Sequence, residues 1–310
     1  MKSPKILNYE TRPCKFTERR MLLASFMRII GVLKQEYQYK GFGGLAFTDF
    51  KLFHKELHIN QMHSIEACYS KEKIEFNKPY SFITIEHNRS TNILSQIDLK
   101  KPTIIWLDYD DTLSYTIFMD LQKVLQELPH GSIYVMSCNR ELKNENNETC
   151  SVEELRERFG HVVPFHLQKD CCADINVANT IKQMMEIKCK EIINERNKLA
   201  QETVFFKTLY NIKYAEYRGA RMYTFGGIVL KDSDKEMNLN LSEFDFISTD
   251  TPYEINIPNL THVETNYLNK ILNIEEKEQQ LVKKDILSAD DIEKYKKFYK
   301  YLPNFYDVRI

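Results

Sequence analysis

Several things are missing from this chain, and each absence removes a class of function. No apolar run approaches the roughly 20 residues that a membrane-spanning helix needs, and the opening MKSPKILNYETRPCK carries no apolar stretch of the signal-peptide kind. A cytoplasmic location without membrane attachment is the expectation. Neither sign of charge is in excess: 43 basic side chains stand against 44 acidic ones, a formal net charge of -1. That balance gives no global pull toward nucleic acid or an anionic membrane, although a local basic patch stays open. The seven cysteines include no Cys-x-x-Cys pair, which argues against a zinc knuckle and, with the odd count, against a disulfide framework. They read as reduced, mostly structural thiols. There is no internal repeat and no low-complexity tract.

What is present describes an ordinary globular protein. The 310 residues are 43% hydrophobic and 28% charged, enough for one large domain with additions. From Lys15 to Gln35 the apolar residues Phe16, Met21, Leu22, Phe26, Ile29, Ile30 and Leu33 recur at helical spacing, with Thr17 as the expected cap. Tyr37 to Lys40 then reads as a short strand running into Gly41-Phe42-Gly43-Gly44, and LAFTDFKLFHKEL as the following helix. Met62 to Glu66, Ser81 to Glu86, Pro102 to Asp108 and Ser132 to Ser137 read as further strands, and Ile117 to Leu128 as a helix. The run PTIIWLD is continuously apolar until its closing acid, as expected of a central parallel strand. Strands alternating with helices predict an α/β fold with a parallel sheet.

Beyond Asn139 the alternation stops. KNENNETCS is polar and reads as an exposed loop, while Val152 to Phe159 and about Val177 to Tyr210 are helical by pattern, the second as an insertion or lid. Met222 to Leu230 and Phe244 to Ser248 read as late strands, and Asn266 to Tyr301 as a charged helical tail. The expected organisation is an N-terminal helical cap (1–36), a Rossmann core (37–140), a helical insertion (141–215), strands completing the sheet (216–260) and a helical C-terminal segment (261–310). The insertion or the tail offers a surface for a protein partner or for self-association.

A glycine turn between the first strand and its helix lets a ligand approach the backbone closely, and the helix start presents free amide hydrogens. Gly41, Gly43 and Gly44 sit at that position, although GFGG is too compact for G-x-G-x-x-G and Ala46 stands where a third glycine would fall. Glu66 ends the second strand about 20 residues on, where an acid accepts hydrogen bonds from both ribose hydroxyls in nucleoside-binding sheets. Asp108 ends the fourth strand at the carboxyl edge and opens the run Asp108-Tyr109-Asp110-Asp111. These carboxylates could orient a substrate, take a proton or hold a divalent cation, but no histidine pair at metal spacing joins them and no metal is expected. Asp111 reads as a helix cap, and Asp49 as a partner of the helix dipole. No DPPY- or NPPY-type tetrapeptide supports amino methylation of bases.

These segments also carry a family resemblance. NYETRPCKFTERRML, GFGGLAFTDFKLFHKELHINQMHSIE, FNKP, IIWLDYDDTL, GSIYVMSCN and RMYTFGGIVL, in that order, resemble a bacterial family of S-adenosylmethionine-dependent O-methyltransferases. The likeness runs from about Leu7 to Leu230, with LPNF near the end also similar. It implies a Rossmann-like class I methyltransferase sheet with an N-terminal helix, a helical insertion and a helical tail, and S-adenosylmethionine as cofactor. It further implies that the glycine turn Gly41-Phe42-Gly43, Glu66 and Asp108 match the cofactor-site positions. Read from the residues themselves, Arg12 and Lys15 ahead of the first helix are candidates to meet the cofactor carboxylate, with a solvated surface position as the commoner fate, and Asp108 or Asp110 is the candidate to orient the acceptor or take its proton. The acceptor itself is not named by the sequence. Two alternatives remain at this level. One is a nucleoside-binding sensor or scaffold that does not catalyse. The other follows from Asp108-Tyr109-Asp110-Asp111-Thr112-Leu113, which resembles the DxDxTL signature of haloacid dehalogenase-type phosphatases, with Asp108 as nucleophile and Asp110 as acid/base.

Overall fold

A computed structural model describes residues 12–216 and 219–303. Residues 1–11 of the expected N-terminal cap, and Tyr217 and Arg218 after the expected insertion, lie outside the described residues. The first helix, α1 (Pro13–Leu33), starts earlier than its apolar period suggests because Pro13 occupies the first turn, where a missing N–H leaves no bond unmade. Thr17 is therefore buried inside the helix rather than capping it. Lys34 ends α1 in the left-handed region, at φ 51°.

Eight strands form one sheet in the order β3-β2-β1-β4-β5-β7-β6-β8. They are β1 (Gln38–Gly41), β2 (Met62–Glu66), β3 (Ile83–His87), β4 (Thr103–Thr112), β5 (Ile133–Asn139), β6 (Val204–Ala215), β7 (Arg221–Lys231) and β8 (Tyr253–Ile255). The first five run parallel, β7 is antiparallel to both β5 and β6, and β8 is parallel to β6. Their crossovers are α2 (Thr48–Leu57), α3 (Lys71–Asn77), α4 (Ser90–Ile93), α5 (Tyr115–Glu127), α6 (Val152–Phe159) and α7 (Val177–Asn197). Chain order reverses between β1 and β4. Connections leave these neighbours in opposite directions, and a crevice opens outside their carboxyl ends.

Burial on both faces explains the unbroken apolar run of β4. Ile104 and Trp106 enter one core with Phe26 of α1 and Phe50 and Phe53 of α2, while Ile105 and Leu107 enter the other with Leu121 of α5 and Met184 of α7. A third, smaller cluster around Leu268, Leu281 and Tyr295 holds α8 (His262–Ile271), α9 (Glu275–Lys283) and α10 (Ala289–Phe298) together.

Three local readings of the sequence are corrected. The helix expected through Tyr210 stops at Asn197, and Val204–Ala215 becomes β6, so the expected insertion ends inside the sheet. A register shift between Thr208 and Tyr210 breaks the two-residue period there, which hides the strand in the sequence. Phe244 to Ser248 is not a strand and makes one isolated bridge, Ile247 to Tyr210, the edge strand being β8 instead. Asp111 belongs to β4, and Ser114 is the residue that precedes α5.

Gly226 of β7 faces that shift. A Cβ there would lie 2.5 Å from the Tyr134 carbonyl oxygen and 3.0 Å from Val135 Cα, both backbone atoms of β5. Gly226→Ala is expected to cost about 1–3 kcal/mol, seen as a lower urea midpoint with unchanged slope. A wild-type midpoint would contradict this account of the β5–β7 contact.

Candidate active site

A cleft of about 800 Å³ lies over the carboxyl ends of β1, β2 and β4. Its first wall is the glycine turn. Gly41 closes β1, and a Cβ on it would meet Tyr39 Oη at 2.6 Å and the Trp106 carbonyl oxygen at 2.8 Å. At Gly43 a Cβ would fall 2.3 Å from Ser64 Oγ. Both glycines thus let neighbouring strands close under the turn. Phe42 and Gly43 line the cleft, whereas Gly41 lies behind them. The Phe42 ring meets Tyr109 edge-to-face, with centroids 5.2 Å apart.

Glu66 ends β2 on the second wall, and its Oε1 accepts the backbone N–H groups of Ala67 and Cys68 at 2.9 and 2.6 Å. These bonds fix the carboxylate at the strand end, beside the cleft that it lines. Beyond it, residues 88–92 follow β3 and form the far wall, and Thr116, Ile117 and Met119 of α5 close the side.

At the other end the charges are dense. Lys15 and Glu18 of α1 are almost wholly buried, and Lys15 Nζ sits 2.8 Å from Asp108 Oδ1, 3.0 Å from Glu18 Oε2 and 4.7 Å from the centre of the Trp106 ring. Arg19, one turn on, pairs with Asp49 of α2 and reaches Asp108 Oδ2 at 4.0 Å. A hydroxyl chain continues the network beneath. Thr224 donates to Glu18, Ser137 and Thr224 share a hydrogen bond of 2.7 Å, and Trp106 Nε1 donates to Ser137 at 3.0 Å. Asp110 stands at the mouth of the cleft with part of its surface open, yet its carboxyl is crowded by protein, and desolvation and then the charge of Asp108 push it up to about 6.

Of the residues the sequence singled out, Phe42, Gly43, Glu66, Asp108 and Asp110 come together on the cleft. Arg12 and Lys15 do not line it. Arg12 lies 3.9 Å from Glu216, whose carboxylate also accepts the Lys15 backbone N–H at 2.8 Å and so serves the start of α1. Lys15 is spent on Glu18 and Asp108. The buried thiols of Cys14 and Cys138 are pushed up to about 12 by desolvation, which removes them as nucleophiles. His54 packs against Tyr80 and Phe82, and His58 ends α2.

Sequence reasoning missed Arg19, Asp49 and the segment after β3. Arg19 follows Lys15 by one helical turn, which places both on one face of α1. The segment 88–92 follows β3, which begins two residues later and ends one residue later than the Ser81 to Glu86 strand expected from the sequence, and no motif marks it.

Residues 7–310 match the model of a family described as "Putative O-methyltransferase". The chain belongs to this family. No curated protein matches the chain. Among solved structures, similarity is found to an O-methyltransferase from Bacillus cereus in complex with SAH, at 12% identity and TM-score 0.38, over 70% of this chain and 81% of that one. The plantazolicin methyltransferase BpumL in complex with a pentazolic desmethylPZN analogue and SAH is similar at 10% identity and TM-score 0.39, over 68% and 85%. LepI in complex with SAM is similar at 9% identity and TM-score 0.37, over 66% of this chain but only 46% of that one. The chain thus spans less than half the length of the LepI proteins. Among the described residues, no helix is long and apolar enough to cross a membrane.

Replacing Lys15 by Met leaves Glu18 and Asp108 facing each other without their shared cation. Loss of one partner of a buried pair costs about 3–5 kcal/mol, and Lys15→Met should lower unfolding stability by that order in a denaturant titration. A loss under about 1 kcal/mol, the scale of a surface pair, would contradict the role assigned to Lys15.

Proposed function

We propose that the protein transfers a methyl group from S-adenosylmethionine to an oxygen atom of an acceptor. The observation that carries this reading is Glu66, held by two backbone amides at the end of β2 and lining a cleft that begins at the glycine turn. Strand order sets the layout. An amino-acid end over β1 and β4 meets Gly43, Arg19, Asp49 and Asp108, a ribose meets Glu66 on β2, and a base falls over the end of β3 at residues 88–92. The mixed charges at the first end fit a zwitterion: Asp49 and Asp108 suit its ammonium, and the Arg19 guanidinium suits its carboxylate.

When bound, this cofactor supplies an electrophilic methyl carbon on a sulfonium. The chain's own residues hold and orient, so that a bimolecular step proceeds as if within one molecule. Asp110 accepts the proton that the acceptor hydroxyl loses as its oxygen attacks, a task that suits a carboxylate whose affinity for protons is raised. Oxygen as the acceptor atom rests on family membership. The phosphatase alternative, which uses the same Asp108 and Asp110, loses its ground with that membership.

Two outcomes test the reading. Hydrogen bonds to a charged group contribute about 1.5–3 kcal/mol each, so Glu66→Ala should weaken binding of S-adenosylhomocysteine at least about tenfold by calorimetry. Unchanged affinity in a folded variant would remove Glu66 from the site. The second concerns pH. Asp110 can take a proton only when ionised, so turnover should rise with pH through about 6 and level off above it. Asp110→Asn should be slow and lack that rise, and a variant that keeps the wild-type profile would show that another group is the base.

A further inference from the structure

Beneath the far wall of the cleft lies a carboxylate that the reaction above does not use. Asp120 of α5 is wholly buried. Its Oδ2 accepts two hydroxyl hydrogen bonds, from Ser90 Oγ at 2.5 Å and from Tyr109 Oη at 2.7 Å, while its Oδ1 has no hydrogen-bond partner. The Thr91 side chain also hydrogen-bonds this carboxylate and Lys123 bears on its charge, while Ile117, Leu121 and Val124 of the same helix belong to the core. Packing alone does not call for a carboxylate there, since an apolar side chain would avoid the desolvation cost.

What Asp120 does is join walls that belong to different elements. Ser90 opens α4 in the segment after β3, and Tyr109 lies in β4 next to Asp108. The ring of Tyr109 in turn meets Phe42 of the glycine turn. Asp120 itself rides on the helix whose first turns supply Thr116, Ile117 and Met119 to the cleft. We infer that Asp120 is a positioning residue: it holds the segment after β3 at a fixed distance from β4, and so sets how selectively that end of the cleft accepts an adenine base. The inference rests on the layout proposed above, in which the base falls over the end of β3.

The test compares binding of S-adenosylhomocysteine with binding of its inosine analogue, in which an oxo group replaces the adenine amino group. The wild type is expected to prefer the adenine compound by about tenfold or more. Asp120→Leu removes the acceptor without leaving a buried charge, and its preference should fall by about threefold or more even where its melting temperature is maintained. Asp120→Asn keeps an acceptor oxygen and should restore most of the preference. A purely structural role would weaken both ligands equally and leave the ratio unchanged, and that result in Asp120→Leu overturns the inference. If Asp120→Leu does not fold, Tyr109→Phe answers the same question, because the Tyr109 hydroxyl is directed at Asp120. A wild type that binds neither ligand would overturn the cofactor reading instead.

Discussion

The structure turns on the burial of two cations of α1 against acids at the carboxyl edge of the sheet. Lys15 lies between Glu18 and Asp108, and Arg19 lies between Asp49 and Asp108. Taking such charges out of water is expensive, and the arrangement survives because each is met at close range by a partner of opposite sign. The hydroxyls of Thr224 and Ser137 extend the contact across β7 and β5 to the Trp106 indole of β4. One helix is thereby tied to three adjacent strands at the end where the fold opens.

The consequences reach the chemistry. A sheet that reverses its chain order between β1 and β4 must leave a crevice there, and a crevice lined with carboxylates would repel itself without internal cations. Lys15 and Arg19 supply them without occupying the ligand space on the Glu66 side. Asp108 is held in place by the clamp, and desolvation together with its charge raises the carboxyl of the neighbouring Asp110. β3, β2 and β1 follow one another across the sheet, and in the proposed layout base, ribose and amino-acid end would meet successive strand ends.

Much of this was legible in the sequence because it depends on local chemistry. The unbroken apolar run IIWL before Asp108, the glycine turn and an acid closing β2 are features of short segments, and the structure places Phe42, Gly43, Glu66, Asp108 and Asp110 on one cleft. What stayed hidden depends on contacts between segments far apart in the chain. Lys15 looked like a surface cation near a ligand, yet its partner Asp108 is 93 residues away. Asp49 looked like a helix-dipole acid until α1 brought Arg19 to it. The β6 strand was masked because a register shift at Thr208 and Tyr210 disturbs the alternation by which a strand is recognised. Family resemblance supplied what local chemistry did not, namely which nucleoside and which kind of reaction.

A crystal structure of the wild-type protein with S-adenosylhomocysteine would show whether the cofactor lies along the carboxyl edge from β1 to β3, as proposed. Both ribose hydroxyls are then expected within hydrogen-bond distance of the Glu66 carboxylate, the amino-acid end beside Gly43 and Arg19, and the base against residues 88–92. A ligand seated elsewhere on the molecule, or running along the cleft in the opposite direction, would contradict that placement.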